Sequence, residues 1–201
     1  VLARKFLTAG VENIEDDPSI NADLGRQYAE GPVARAAAYG LAASGAAAIA
    51  PLVEAIRSPA SQTRKLASFA LGELAGSDPA IDDALARATG DADPRVRLNA
   101  QFAIGRRRAG ADPMAALEHG LADADDETRI HAALALARRA PASDRAIAAA
   151  ARALGDGNRY VSGYAVEALE RIGTPEATRI LVPFLKRARW CPFTRSGESI
   201  Y

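Results

Sequence analysis

The sequence predicts an all-α protein, an α-α superhelix (a solenoid) of about five helix pairs. Two observations predict it. The first is residues 93–124, DPRVRLNAQFAIGRRRAGADPMAALEHGLADA, which read as helix, turn and helix. The second is that versions of this unit recur on both sides of it. Aligned on Val96, the same column holds Val33, Thr63, Thr128 and Val161, at steps of 30, 33, 32 and 33 residues. Four positions on stand Ala37, Ala67, Ala100, Ala132 and Ala165. Seven on come Gly40, Ala70, Ala103, Ala135 and Ala168, and eight on come Leu41, Leu71, Ile104, Leu136 and Leu169. Small residues in two columns let helices approach closely, and a branched apolar residue in the next fills the space between layers. Short helices with one apolar stripe each cannot bury both stripes within a single pair, so every pair needs neighbours.

The elements follow in chain order. Residues 1–31 do not fit the repeat register. They read as two short helices, 1–9 and 21–29, around an acidic loop, and so as an N-terminal cap or the end of an upstream segment; the chain begins at Val1, as a trimmed chain or fragment would. The acidic loop lacks the alternating oxygen ligands of a calcium loop. The repeats are expected near 32–59, 60–92, 93–124, 125–157 and 158–187. In the first, Ile49, Leu52, Val53 and Ile56 form a stripe, with Pro51 in the first turn, where it is tolerated. The second turns at Gly76-Ser77-Asp78-Pro79. In the third, Asp93 reads as an N-cap with Pro94 at N1, and Gly110 and Asp112-Pro113 break and restart the pattern. The fourth turns at Pro141-Ala142-Ser143 and the fifth at Gly173-Thr174-Pro175. Pro183 lies too deep for an N1 proline and predicts a kink or a late-starting helix. Residues 188–201 read as an extended tail whose Trp190, Phe193 and Tyr201 fold back over the last repeat.

The motif D-x-x-[VT]-R-x-x-A-x-x-A-[LI] stands out at Asp93, Val96, Arg97, Ala100, Ala103 and Ile104. It recurs at Asp125, Thr128, Arg129, Ala132, Ala135 and Leu136. It resembles the short bacterial HEAT-like repeats of the phycobilin-lyase type, over roughly residues 31–187, and AIAPLVEAI at 48–56 is similar to that family's second-helix half. The resemblance implies a fold and many possible roles. EALERIGTPEA at 167–177, followed by RWCP at 189–192, resembles the end of HEAT-like arrays joined to oxygenases of the phytanoyl-CoA dioxygenase type. The iron triad of such oxygenases is absent here, so that resemblance implies an accessory array of a larger enzyme.

Composition narrows the classes. The 201 residues carry 25 Lys and Arg against 25 Asp and Glu, a formal net charge of zero. That balance argues against wholesale nucleic-acid binding. Aromatics are 5%, too few for a stacking platform. A single cysteine, Cys191, excludes an internal disulfide and fits a reducing cytoplasm, and nothing marks a base beside it. No apolar run is long enough for a membrane span.

Three sets of side chains are candidates for function. Arg64, Arg97 and Arg129 form a column, read as bonding the Asp at the preceding cap (Asp93, Asp125) and loop carbonyls; the alternative is a grip on an acidic partner. Arg106, Arg107, Arg108, Arg138 and Arg139 end first helices and read as a solvated basic edge that complements helix dipoles. A nucleic-acid contact is the alternative there, by analogy with HEAT-like DNA glycosylases, which resemble the chain in repeat style only. His119 and His131 lack the His-Glu pairing of HEAT-like di-iron hydroxylases; no metal or cofactor is expected, and His131 reads as a partly exposed packing ridge. The third set lies on the second helices, expected to line the concave side. Their polar positions include Glu54, Asp82, Asp83, Glu118 and Lys186, with Arg57, Arg87, His119, Arg152 and Arg179 as the candidate contacts for a protein or peptide partner. No catalytic constellation is visible, and the expected role is a non-catalytic scaffold.

Overall fold

Short polar side chains decide where the helices begin. Asp78, Asp93, Asp125, Ser143 and Asn158 each sit in extended backbone and accept a hydrogen bond from a first-turn N–H, those of Ala80, Arg95, Thr128, Ala146 and Tyr160. Pro79 and Pro94 follow two of these caps, where a missing N–H costs nothing. The computed structural model describes residues 32–107 and 109–187. The expected N-terminal cap, Arg108, Cys191 and the aromatic tail lie outside them.

The helices are α1 (Pro32–Ala43), α2 (Ile49–Ala55), α3 (Ser61–Glu73), α4 (Pro79–Ala88), α5 (Pro94–Arg106), α6 (Met114–Leu121), α7 (Asp126–Arg139), α8 (Asp144–Ala153), α9 (Arg159–Ile172) and α10 (Pro175–Arg187). A 3-10 turn, Gly45–Ala48, leads into α2. Among the described residues these ten α-helices stand without a strand. Gly173 ends α9 in the left-handed conformation (φ 64°), which glycine adopts without penalty, and its N–H bonds Leu169 O. Helix α10 begins at Pro175, so the late start considered for it does not occur, and Pro183 stands inside it. The proline leaves the Arg179 carbonyl without its helical donor.

The odd-numbered helices pack one upon the next as a first layer, and the even-numbered helices form a second. Each of α4, α6 and α8 packs against the odd helix before it and the odd helix after it, and α2 packs against α3. Ala37, Ala67, Ala100, Ala132 and Ala165 are all buried, as are Leu41, Leu71, Ile104, Leu136 and Leu169. The repeating columns therefore are the core. The column of His131 is partly exposed, as expected, only at its ends, Ala36 and Tyr164. Leu66, Asn99 and His131 are fully buried between them, because the flanking first helices close in on both sides.

Glycine sets that closeness. A Cβ on Gly72 of α3 would lie 2.7 Å from the Cα of Ala103 in α5, and one on Gly105 of α5 would lie 2.9 Å from Ala135 Cβ in α7. The second layer is looser, and α4 and α6 meet least of its neighbouring pairs.

Two substitutions read this difference. Glycine to alanine inside a helix ordinarily stabilises by roughly 0.5–1 kcal/mol. At Gly163 of α9 a Cβ meets nothing within 4 Å, so Gly163→Ala is expected to raise the thermal midpoint. At Gly72 the new methyl meets backbone, and Gly72→Ala is expected to destabilise by about 1–3 kcal/mol. Thermal unfolding of the two variants checks the opposite signs.

Candidate partner-binding surface

The arginine column is spent inside the array. Arg64 gives Nε and Nη2 to Asp91 at 2.7 and 2.8 Å and Nη1 to the carbonyls of Ser58 and Pro59. Arg97 repeats the pattern on Asp123 and on the carbonyls of Asp91 and Ala92. Arg129 donates to Asp156, Asp126 and the carbonyls of Asp123 and Ala124. The loop carbonyls are as expected, but the acids are not. Asp93 and Asp125 are occupied in capping, so each guanidinium reaches forward to the acid of the following loop. The pairing holds the Asp91 carboxyl below its ordinary range, chiefly through the Arg64 hydrogen bond. For Asp123, burial pushes the carboxyl up, but the bonds from Arg97 and the Asp125 N–H outweigh it, and the net shift is downward.

The expected basic edge is internal at Arg107 and Arg139. Arg107 is 3% exposed and reaches the carbonyls of Leu71, Leu74 and Gly76 at the end of α3. Arg139 donates to Ile104 O at the end of α5, and Arg171 to Leu136, Ala137 and Ala140 at the end of α7. Arg106 pairs with Glu73 and lies over the Phe102 ring. Of the four described residues of that edge, Arg106 and Arg138 are exposed, as expected, whereas Arg107 is buried and Arg139 half-buried. The misreading has a physical cause: a C-terminal arginine complements its own helix dipole in sequence, but here it caps the previous repeat's helix instead.

Buried His131 bonds Glu127 O through Nδ1 at 2.7 Å and meets the Phe102 ring edge-on. Phe102 in turn stacks on Phe69, and Phe69 meets Tyr39. Burial pushes the His131 imidazole below its usual pKa. Among the described residues no three His, Cys, Asp or Glu side chains are grouped to hold a metal ion, and no helix is long and apolar enough to cross a membrane.

The five candidate contacts all lie exposed on the second layer. Arg57 pairs with Glu54 one turn back, and Arg179 pairs with Glu176 in the same way. Arg152 reaches Glu118 at 3.5 Å from α8 to α6. Glu118 is held more tightly by Arg145, at 2.7 and 3.1 Å, and the Arg145 bond keeps its carboxyl below the ordinary range. Sequence reasoning missed Arg145. The available signal was its place seven residues before Arg152, on the same face of α8. Asp82 faces inward, accepting from the Ala111 N–H at 2.8 Å and standing 3.5 Å from Arg107 Nε. Where α4 and α6 diverge, a pocket of about 210 Å³ opens, lined by Asp82, Asp83, Leu85, Ile104, Arg107 and Arg139 among others.

Residues 114–195 match the family described as HEAT repeats. No curated protein matches the chain in sequence. Among solved structures it is similar to a designed armadillo repeat protein in complex with the peptide (KR)4, at 19% identity over 85% of this chain and 93% of that one, TM-score 0.57. A second designed armadillo repeat protein is similar at 20% identity, over 96% and 93% of the two chains, TM-score 0.56. A structure of computationally designed armadillo repeat proteins for modular peptide recognition is similar at 21% identity over 80% and 88%, TM-score 0.52. The fold is thus that of a HEAT-like or armadillo-like helical-repeat array.

Stability should depend on pH in two steps. A histidine with a depressed folded pKa is protonated more readily when unfolded. Stability should therefore fall as pH drops below about 6.5 and level off once the folded imidazole titrates. His131→Phe should remove that step in pH-dependent urea unfolding. The depressed Asp91 and Asp123 contribute stability that is complete well above pH 3.8 and lost as pH falls below it, toward their folded pKa values. That second step should survive in His131→Phe.

Proposed function

We propose that the array is a non-catalytic scaffold that binds a protein or peptide partner along its second-helix face. Arg57, Arg87, His119, Arg152 and Arg179 are among the contacts in this reading. The observation that carries it is the split between the two layers. Arg64, Arg97, Arg107, Arg129 and Arg139 of the first layer are bonded to its own loops and helix ends, whereas Arg57, Arg152 and Arg179 of the second are exposed and paired with acids. Exposed pairs of that kind contribute roughly 0–1 kcal/mol, so a partner's charges can replace them at little cost. Mixed charge suits a protein or peptide better than a polyanion. The likeness to designed armadillo repeat proteins, one in complex with (KR)4 and others described for modular peptide recognition, supports peptide binding as a kind of activity.

The reading does not rest on concavity. In a bent stack the tighter layer takes the inside of the bend, and the close Gly72–Ala103 and Gly105–Ala135 approaches belong to the first layer. We therefore infer that the second helices form the outer arc and not the concave side first expected for them.

The test is charge reversal. Peptides of mixed charge that bind the wild-type chain would be selected from a displayed library, and their affinities remeasured on the triple variant Arg87→Glu, Arg152→Glu, Arg179→Glu. Binding is expected to weaken by about tenfold or more, with the fold intact by circular dichroism. Unchanged affinity across the selected peptides would reject this face.

A further inference from the structure

The pocket between α4 and α6 has a cationic inner wall. The Arg107 side chain is 1% exposed, and its Nη atoms are engaged by the Leu71, Leu74 and Gly76 carbonyls. Its Nε makes no hydrogen bond: the nearest acid, Asp82 Oδ1, stands at 3.5 Å, beyond a good N–H···O contact. Arg139 lines the same pocket and, among the described residues, donates one hydrogen bond, from Nη1 to Ile104 O at 3.0 Å. A guanidinium has five N–H donors, so most of that group is uncommitted. Burial pushes the Arg139 pKa down, and the neighbouring Arg107 charge adds to this.

The acids around the pocket do not supply the missing acceptor. Asp82 Oδ2 is occupied by the Ala111 N–H, and Asp112 Oδ1 by the Met114 N–H. Asp83 is exposed at the mouth. Leu85, Ala86, Ile104 and Pro113 complete the lining with apolar surface. A buried donor left without an acceptor costs roughly 1–3 kcal/mol. The arrangement therefore favours a ligand that brings an acceptor to the arginines and a short aliphatic stem to the apolar wall.

We propose that this pocket binds a carboxylate carried on a short aliphatic chain, held by Arg107 Nε and Arg139. The chemistry is shared by a glutamate side chain of a peptide and by a free dicarboxylate. Asp83 and Asp112 at the rim disfavour a second negative charge near the mouth, so a singly acidic peptide suits the site better than a run of acids. The site stands independently of the partner surface proposed above, since none of the five contact arginines or histidines lines it.

The experiment is an NMR titration of the full chain, labelled with nitrogen-15, reading the Arg107 Nε–H and Ala111 N–H signals. The probes are glutarate, the tripeptide acetyl-Gly-Glu-Gly-amide and its Gln counterpart. The expected result is a saturable shift with the Glu peptide, with a dissociation constant in the millimolar range, and none with the Gln peptide. Saturation by glutarate but not by the Glu peptide would keep the site and assign it to free carboxylates. Arg139→Gln, which leaves the Arg107 clamp on α3 in place, is expected to weaken binding about fivefold or more. No saturable shift by any probe up to about 20 mM would overturn the proposal. So would equal shifts from the Glu and Gln peptides, or unchanged affinity in Arg139→Gln. The probes are too small to span the second-helix face, so their failure leaves the charge-reversal test untouched.

Discussion

One interaction holds the repeats in register: an arginine at the start of each central first helix that binds two loops at once. Arg97 takes the carbonyls of Asp91 and Ala92 behind it and the carboxylate of Asp123 ahead of it. Asp91 and Asp123 each serve twice, giving a side chain to one arginine and a carbonyl to the next. The result is a continuous chain of charge-assisted bonds from Ser58 to Asp156. Such bonds are roughly twice as strong as neutral ones, and the planar guanidinium fixes direction as well as distance. Repeat proteins are stable through nearest-neighbour interfaces, so a clamp made once per repeat propagates along the array. It stops where the column holds Ser162 in place of arginine.

The remaining features follow from that fixed edge. At the opposite end of the first layer, Arg107, Arg139 and Arg171 each bond carbonyls at the end of the previous first helix. Between the two ends, Gly72 and Gly105 let helices approach to backbone contact. The first layer is thus tied at both ends and packed tightly through its middle. Among the described residues the second layer carries no tie repeated from repeat to repeat; Arg145 and Arg152 join α8 to Glu118 of α6 alone. The second layer is free to diverge, as α4 and α6 do, and to present charge to its surroundings. Rigidity in the first layer is what leaves the second free to diverge.

Much of the fold was legible in the sequence. Alanine and leucine columns at a period near 32 residues demand a buried, repeating interface, and Asp-Pro pairs mark helix starts whatever the tertiary context. The partners of the arginines were not legible. Asp93 and Asp125 stand at the right distance in sequence from Arg97 and Arg129, but a capping carboxylate is already occupied. The true acceptors, Asp123 and Asp156, lie 26 and 27 residues away. Arg107 was read as solvated for a similar reason, since its carbonyl acceptors belong to the repeat before it. Spacing within one helix reveals periodicity; it does not reveal what the adjacent repeat brings. The same limit hid Arg145, whose partner Glu118 lies on a different helix, and the pocket, which depends on how far two second helices separate.

The most direct measurement is a double-mutant cycle on the central clamp, with Arg97→Ala, Asp123→Ala and the pair compared by urea unfolding. If the clamp couples adjacent repeats, the two substitutions should be strongly non-additive, with an interaction energy of about 1.5–3 kcal/mol. Additivity within about 0.5 kcal/mol would contradict the account, because the contact would then be present without holding the repeats together.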